Sequence, residues 1–118
     1  MKTKAFYTAI TTDNADKTLN FYVGTLGFHV AHILKTPKGE ITVIENNDGA
    51  HIDVIASQDD TPGFHALRTN VDDLDSAIAE FKAAGCEVTG PVDISTGRAI
   101  LVKDPNGILI DVTQHIRK

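Results

Sequence analysis

The chain has 118 residues, 42% of them hydrophobic and 23% charged, which is the size and composition of one globular domain. Its formal charge of -5 at pH 7 repels polyanions, so we expect neither nucleic acid nor an anionic membrane surface as a partner. No apolar run approaches the roughly 18 residues of a membrane helix or forms a signal-peptide core, so we expect a cytoplasmic protein. A single cysteine, Cys86, excludes an intramolecular disulfide.

The first half of the chain predicts a strand, a helix and three further strands. The first strand carries Tyr7 and Ala9, Asp13 is the expected helix N-cap, and Gly27 is the expected end of a helix that runs through Gly24. The apolar face of this helix is predicted to contain Ala15, Leu19, Tyr22, Val23 and Leu26. The three strands are expected at about 28–34, 40–46 and 50–56.

The second half predicts the same succession. Leu67, Thr69 and Val71 alternate as in a strand, and Asp72-Asp73 supplies the cap of a helix that stops before Gly85. The apolar face of this second helix is predicted to contain Leu74, Ala77, Ile78, Phe81 and Ala84. Three strands are then expected at about 86–92, 98–103 and 108–114.

The two halves also match residue by residue, which indicates an internal duplication. The segment 39–54 aligns with the segment 97–112, so that both glycines and the triplet Ile-Asp-Val coincide. Ser57 to Gly63 has the composition of a linker. The sequence therefore predicts one α+β domain, 1–118, made of two βαβββ modules at 1–56 and 64–118.

Strand alternation separates the side chains that meet the helices from those that point away. Ile52 and Val54 are expected under the first helix, which leaves His51 and Asp53 on the opposite face. The same alternation places Tyr7 of the first strand, Arg68 of the fifth strand and Asp111 of the last strand on the face away from the helices. The sheet faces that point away from the helices are predicted to form a ligand pocket. Its residues are expected to be Tyr7, His51, Asp53, Arg68 and Asp111.

Three segments resemble the vicinal oxygen chelate superfamily, which includes glyoxalase I, bleomycin-resistance proteins and extradiol dioxygenases. They are Leu19 to Phe28, Val71 to Gly85, and Lys103 to Asp111. The resemblance covers essentially the whole chain. It implies two tandem modules that form a curved mixed sheet with the helices on its outer face.

The resemblance also implies positions for metal ligands, because metal-dependent members take one ligand from the first and last strand of each module. These positions fall on Tyr7, Asp53, Ala66 and Asp111. Ala66 has no ligating atom, and the set lacks the imidazole and thiolate that zinc prefers. We therefore expect no tightly held metal, and at most weak magnesium or manganese binding by the carboxylates. His65, beside the third position, is expected on the helix face unless its strand is bulged.

The polar candidates have both functional and structural interpretations. Asp53 and Asp111 are candidate catalytic acid and base residues if they share one cavity, or solvated charges on an open sheet. Arg68 either neutralises one of these carboxylates or binds an anionic ligand. Tyr7 is a ligand donor or a wall residue, and His51 is expected at the rim of the ligand site.

Three functions compete. The first is a glyoxalase- or bleomycin-resistance-like protein that binds a small molecule, or an enzyme that needs no tightly held metal. The second is a divalent-metal-dependent lyase or isomerase resembling glyoxalase I, and the third is a structural module whose cavity is filled by side chains. Cavities in the superfamily are commonly completed at an interface, so we also expect a homodimer.

Overall fold

The computed structural model describes residues 1–37 and 39–115. The described chain has the predicted α+β fold, in which the order strand, helix, three strands occurs twice. The elements are β1 (Thr3–Thr12), α1 (Ala15–Gly24), β2 (His29–Thr36), β3 (Gly39–Glu45), β4 (His51–Ala56), β5 (Gly63–Val71), α2 (Leu74–Ala83), β6 (Val88–Ile94), β7 (Gly97–Lys103) and β8 (Leu109–His115). In these parts of the chain, neither helix has the length and apolarity that crossing a bilayer requires.

The chain forms two compact units. The first unit is Tyr7–His65, and the second unit comprises Met1–Phe6 and Ala66–Lys118. The start of β1 therefore belongs to the second unit, where the Thr69 hydroxyl donates a hydrogen bond of 2.5 Å to the carbonyl oxygen of Lys4.

In the first unit the strands follow the order β2, β3, β4, β1. β1 and β4 are parallel, whereas β2, β3 and β4 form an antiparallel meander. The predicted N-cap Asp13 is wrong: α1 is capped by Asn14, whose side-chain oxygen accepts from the backbone N–H of Lys17 at 3.1 Å. The helix also ends at Gly24 instead of continuing through it, and Gly27 adopts a positive φ three residues later.

The interior of the first unit is built mainly from its strands. Ile44 and Val54 are fully buried, but α1 has no buried residue. Val23 and Leu26 remain 38% and 51% exposed, and Leu26 lies beyond the helix end. The predicted apolar stripe of α1 is therefore only partly covered.

In the second unit β5 is parallel to β8, and β8, β7 and β6 form an antiparallel meander. The predicted cap Asp73 is confirmed, since its carboxylate accepts from the Ser76 N–H at 3.1 Å. α2 packs Leu74 and Ala77 into the unit's core. Their partners in that core are Val71, Ile100, Val102 and Val112. The last strand begins at Leu109, one residue later than predicted. Ile108, which was predicted to open it, is 39% exposed.

Candidate functional site

Asp53 is the most deeply buried of the predicted site residues. It lies in β4 opposite Ala9 of β1 and Val43 of β3. Both neighbours are buried, and Asp53 itself is only 5% exposed. Because alternate residues of a strand share a face, His51 and Ile55 point to the same side as Asp53. An acidic side chain at this depth requires hydrogen-bond partners.

His51 is one such partner. The His51 Nε2 atom lies 2.9 Å from Asp53 Oδ1. An ionised carboxylate can only accept a hydrogen bond, so in this bond Nε2 is the donor, and the tautomer that has its single proton on Nε2 presents Nδ1 as an acceptor. The His51 side chain is 32% exposed whereas that of Asp53 is 7% exposed. The imidazole is thus the accessible member of the pair, and the carboxylate fixes its tautomer.

The plane of the imidazole is fixed by Tyr7. The two rings are stacked, with centroids 4.1 Å apart and an angle of 8° between their planes. Such contacts add to the stability that burial alone provides. Tyr7, His51 and Asp53 therefore form one cluster within the first unit, called here the histidine cluster.

A cavity of about 640 Å³ lies in the same unit, which is a volume typical of small-molecule sites. Its lining includes Ile41 and Ile55, which pair with each other two positions along the ladder from the pair formed by Val43 and Asp53. Its remaining lining residues are Thr36, Pro37, Gly39, Ala56, Ser57, Asp59, Asp60 and His65. His65 is exposed and borders this cavity instead of packing under a helix.

Sequence reasoning missed this cavity. Its lining comes from a hairpin turn, the end of β4 and the linker before β5, which carry no common pattern. The sequence does contain a signal for the hydrogen bond between His51 and Asp53, because two polar residues two positions apart on one strand share a face. His51 was nevertheless expected at the rim of the site.

In the second unit Arg68 and Asp111 are direct neighbours across β5 and β8. The guanidinium donates to Asp111 Oδ2 at 3.1 Å, and the two side chains are 23% and 21% exposed. Thr113 Oγ1 donates to Asp111 Oδ1 at 3.4 Å. This arrangement is the neutralising role considered for Arg68. That Arg68 and Asp111 share a ligand cavity with the histidine cluster stays a prediction.

The residues at the family's ligand positions do not fit a tight transition-metal site. Asp53 accepts from His51, Asp111 accepts from Arg68, and Ala66 has no donor atom. Among the residues described here, no three His, Cys, Asp or Glu side chains are grouped as metal ligands. A cation bound to Asp111 would lie close to the positively charged guanidinium of Arg68, which disfavours its binding.

Known proteins resemble this chain in sequence and in fold. A protein named "Probable lactoylglutathione lyase" from Vibrio parahaemolyticus is 26% identical over 125 residues, covering 95% of this chain and 91% of that protein. A hypothetical protein from Bacillus halodurans superposes with a TM-score of 0.81 at 18% identity, covering 100% of this chain and 98% of that chain.

Methylmalonyl-CoA epimerase from Mycobacterium tuberculosis superposes with a TM-score of 0.76 at 18% identity, covering 94% of this chain and 87% of that chain. These structural neighbours share the fold. The sequence model of the Glyoxalase/Bleomycin resistance protein/Dioxygenase superfamily matches residues 4–112. The chain therefore belongs to the Glyoxalase/Bleomycin resistance protein/Dioxygenase superfamily.

Proposed function

We propose that this protein binds a small organic molecule along the non-helix face of its first unit, and that His51 moves a proton on the bound molecule without a tightly held metal. The observation that carries the proposal is the hydrogen bond between accessible His51 and buried Asp53. The neighbouring cavity of about 640 Å³ supplies space for the ligand. This open space also argues against a module filled by its own side chains.

The proposed proton transfer follows from the tautomer of His51 that has its proton on Nε2. Nδ1 of His51 accepts a proton from an acidic C–H or O–H group of the ligand, which makes the ring an imidazolium. The buried Asp53 carboxylate, bonded to Nε2–H, stabilises that positive charge and keeps the ring oriented. The proton then returns to the same ligand or to its product. The names lyase and epimerase among the similar proteins support a reaction at carbon.

The geometry also limits the shape of the ligand. Ile55 lies four residues beyond His51 on the same face of β4, a separation of about 13 Å in an extended strand. A molecule that is anchored beside Ile55 must therefore be elongated to place a reacting atom at His51.

Hydrogen exchange at carbon tests the proposal. Chelator-treated protein in D₂O is incubated with S-lactoylglutathione or methylmalonyl-CoA, and deuterium uptake is followed by mass spectrometry. We expect uptake into one of them with the unchanged protein and its loss in His51→Gln. The matched control is His29→Gln, an exposed histidine at the start of β2. Uptake that is the same in His51→Gln, or absent with both compounds, would contradict the proposal.

The second candidate is a divalent-metal-dependent lyase or isomerase like the lactoylglutathione lyases. The curated relatives, at 26% and 25% identity, favour it. Calorimetric titration of zinc, nickel and magnesium into chelator-treated protein separates the two candidates. A submicromolar site that is lost in both Asp53→Ala and Asp111→Ala would favour the metal enzyme, whereas the donor set described above predicts no such site.

A further inference from the structure

Glu45 was not among the residues predicted for the site, yet it lies directly beside the histidine cluster. It pairs with His51 across the antiparallel strands β3 and β4. Directly opposite residues of such a ladder share a face, with their Cβ atoms about 4.5 to 5.5 Å apart. The side chains of Glu45 and His51 therefore leave the sheet side by side, on the face that also carries Asp53.

The imidazole of His51 has one covered side and one open side. β4 lies between β1 and β3 in the sheet, so Tyr7 and Glu45 flank His51 from opposite directions. The ring of Tyr7 is nearly parallel to the imidazole and covers one of its faces. The other ring face is turned towards β3, the strand that carries Glu45. A ligand that reaches this open side of His51 therefore lies next to the Glu45 carboxylate.

The Glu45 carboxylate is available to such a ligand. Glu45 is half-buried, and its side chain makes no hydrogen bond or ion pair with any other residue that the structure describes. Asp53 differs, since its Oδ1 atom accepts from His51. Removing a charge from water is unfavourable unless the charge finds a partner. A ligand group that donates a hydrogen bond to Glu45 therefore stabilises the complex.

The strands around Glu45 supply no positive charge on this face. β2, β3 and β4 are described in full, and apart from histidine their one basic residue is Lys35. Lys35 pairs with Glu40, which lies five residues before Glu45 and therefore on the opposite face of β3. The carboxylates of Glu45 and Asp53 make this part of the site negative. It favours a cationic or hydrogen-bond-donating group and disfavours an anion.

We propose that Glu45 determines which ligands the site accepts. Its carboxylate binds a hydroxyl or ammonium group on the carbon atom that His51 deprotonates, and it repels a carboxylate at the same position. This inference rests on the function proposed above, because it names the substrate class of the same site. The class is an α-hydroxy or α-amino carbonyl compound, and an α-carboxy compound such as methylmalonyl-CoA is disfavoured.

Four small amides that differ in one group test this preference. Propionamide, lactamide, alaninamide and methylmalonamate carry a hydrogen, a hydroxyl, an ammonium and a carboxylate on the same carbon atom at neutral pH. Binding to the full chain is measured from saturable shifts of the His51 ring protons in NMR spectra. We expect a Kd of about 1 to 10 mM for lactamide or alaninamide, and the tighter of the two identifies the donor.

Methylmalonamate should bind at least about tenfold more weakly than that donor compound, because its carboxylate lies next to Glu45. Propionamide should lie between them. Equal affinities for all four amides, tighter binding of methylmalonamate, or no saturable shift with either donor compound would overturn the proposal.

Two substitutions test whether Glu45 is the origin of the preference. Glu45→Gln removes the charge but keeps an acceptor oxygen, so alaninamide should bind at least about tenfold more weakly while lactamide changes less. Glu45→Lys should reverse the order of alaninamide and methylmalonamate. The matched control is Glu40→Gln, an exposed glutamate on the opposite face of the same strand. An order of affinities that is the same in all three variants would show that Glu45 does not select the ligand.

Deuterium uptake separates this inference from the proposed function. S-lactoylglutathione carries a hydroxyl group on the reacting carbon atom, so uptake should occur there and not in methylmalonyl-CoA. Uptake into methylmalonyl-CoA alone, lost in His51→Gln, would overturn the role of Glu45 and leave the proton transfer standing. Uptake into neither compound, with the order of amide affinities as expected, would refute the proton transfer and support the role of Glu45.

Discussion

The rings of Tyr7 and His51 are stacked with 4.1 Å between their centroids, although the two residues belong to strands far apart in the chain. The register explains the contact, because Thr8 of β1 pairs with Ile52 of β4 in a parallel ladder, and Tyr7 and His51 each precede one of them. The hydrogen bond from His51 to Asp53 continues the same array. The orientation of the imidazole thus depends on correct pairing of the first and last strands of the first module.

Replacing Tyr7 tests the stacking contact. Tyr7→Leu should remove the ring current of Tyr7 and shift the His51 ring protons downfield in NMR spectra. Tyr7→Leu should also lower the free energy of unfolding by about 0.5 to 1.5 kcal/mol more than the loss of buried apolar area alone would. Tyr7→Phe keeps the aromatic ring and should keep the His51 shifts. Identical His51 shifts in the leucine variant and in the unchanged protein would contradict the stacked geometry.

Replacing Asp53 tests the role of the carboxylate. Asp53→Asn keeps the shape of the side chain but removes the charge that stabilises the imidazolium and selects the Nε2–H tautomer. We expect the deuterium uptake described above to fall by about 10³-fold. The comparison is Asp48→Asn, at an exposed turn position, which should keep full activity. Retained activity in Asp53→Asn, with an unchanged circular dichroism spectrum, would remove Asp53 from the mechanism.

The sequence predicted the fold well because the decisive signals are local. Alternation in strands, the cap Asp73 and the stop glycine Gly85 are properties of short segments, and the duplication reinforced them. The face shared by His51 and Asp53 followed from alternation alone. The stack of Tyr7 on His51 and the linker residues around the cavity depend on long-range register and loop paths. No short-range sequence pattern encodes the register or the loop paths. The helix cap was mispredicted for another reason, because the adjacent residues Asp13 and Asn14 can both cap a helix and the structure uses Asn14.

Gly97 is predicted to be intolerant of any side chain. Its φ is +156°, and a Cβ atom built there would clash with the carbonyl oxygen of Gln114 on β8. Gly97→Ala should therefore lower the free energy of unfolding by more than about 2 kcal/mol, measured by urea denaturation. Gly24→Ala is the matched control, because nothing lies near its Cβ position and its φ is not in the positive range. That control should be neutral or stabilising by up to about 1 kcal/mol.

The two helices should differ in their protection from hydrogen exchange. α2 buries Leu74 and Ala77 in its unit's core, whereas α1 buries no residue. Helices with fewer buried apolar contacts open locally at lower free energy. Amides of α1 should therefore exchange faster than those of α2 in native-state measurements by mass spectrometry. Equal protection of both helices would show that α1 is covered by contacts that this chain alone does not display.

We predict that a second copy of the chain covers the exposed apolar side chains of the first unit, so that the protein is a homodimer. β2 is the edge strand of the first unit's sheet, and all eight of its residues are exposed. Large apolar side chains are exposed on this strand and on the preceding segment, namely Phe21, Val23, Leu26, Val30, Ile33 and Leu34. An apolar surface beside an open strand edge favours association with another chain.

Light scattering should accordingly give about twice the chain mass of 12.7 kDa. Ile33 is 52% exposed near the middle of β2, so Ile33→Glu should place a charge in such an interface and weaken the dimer at least about tenfold. Lys17→Glu, on the exposed side of α1, controls for the change in charge and should leave the mass unchanged. A mass near that of one chain at low protein concentration would refute the dimer. A dimer that is insensitive to Ile33→Glu would place the interface elsewhere.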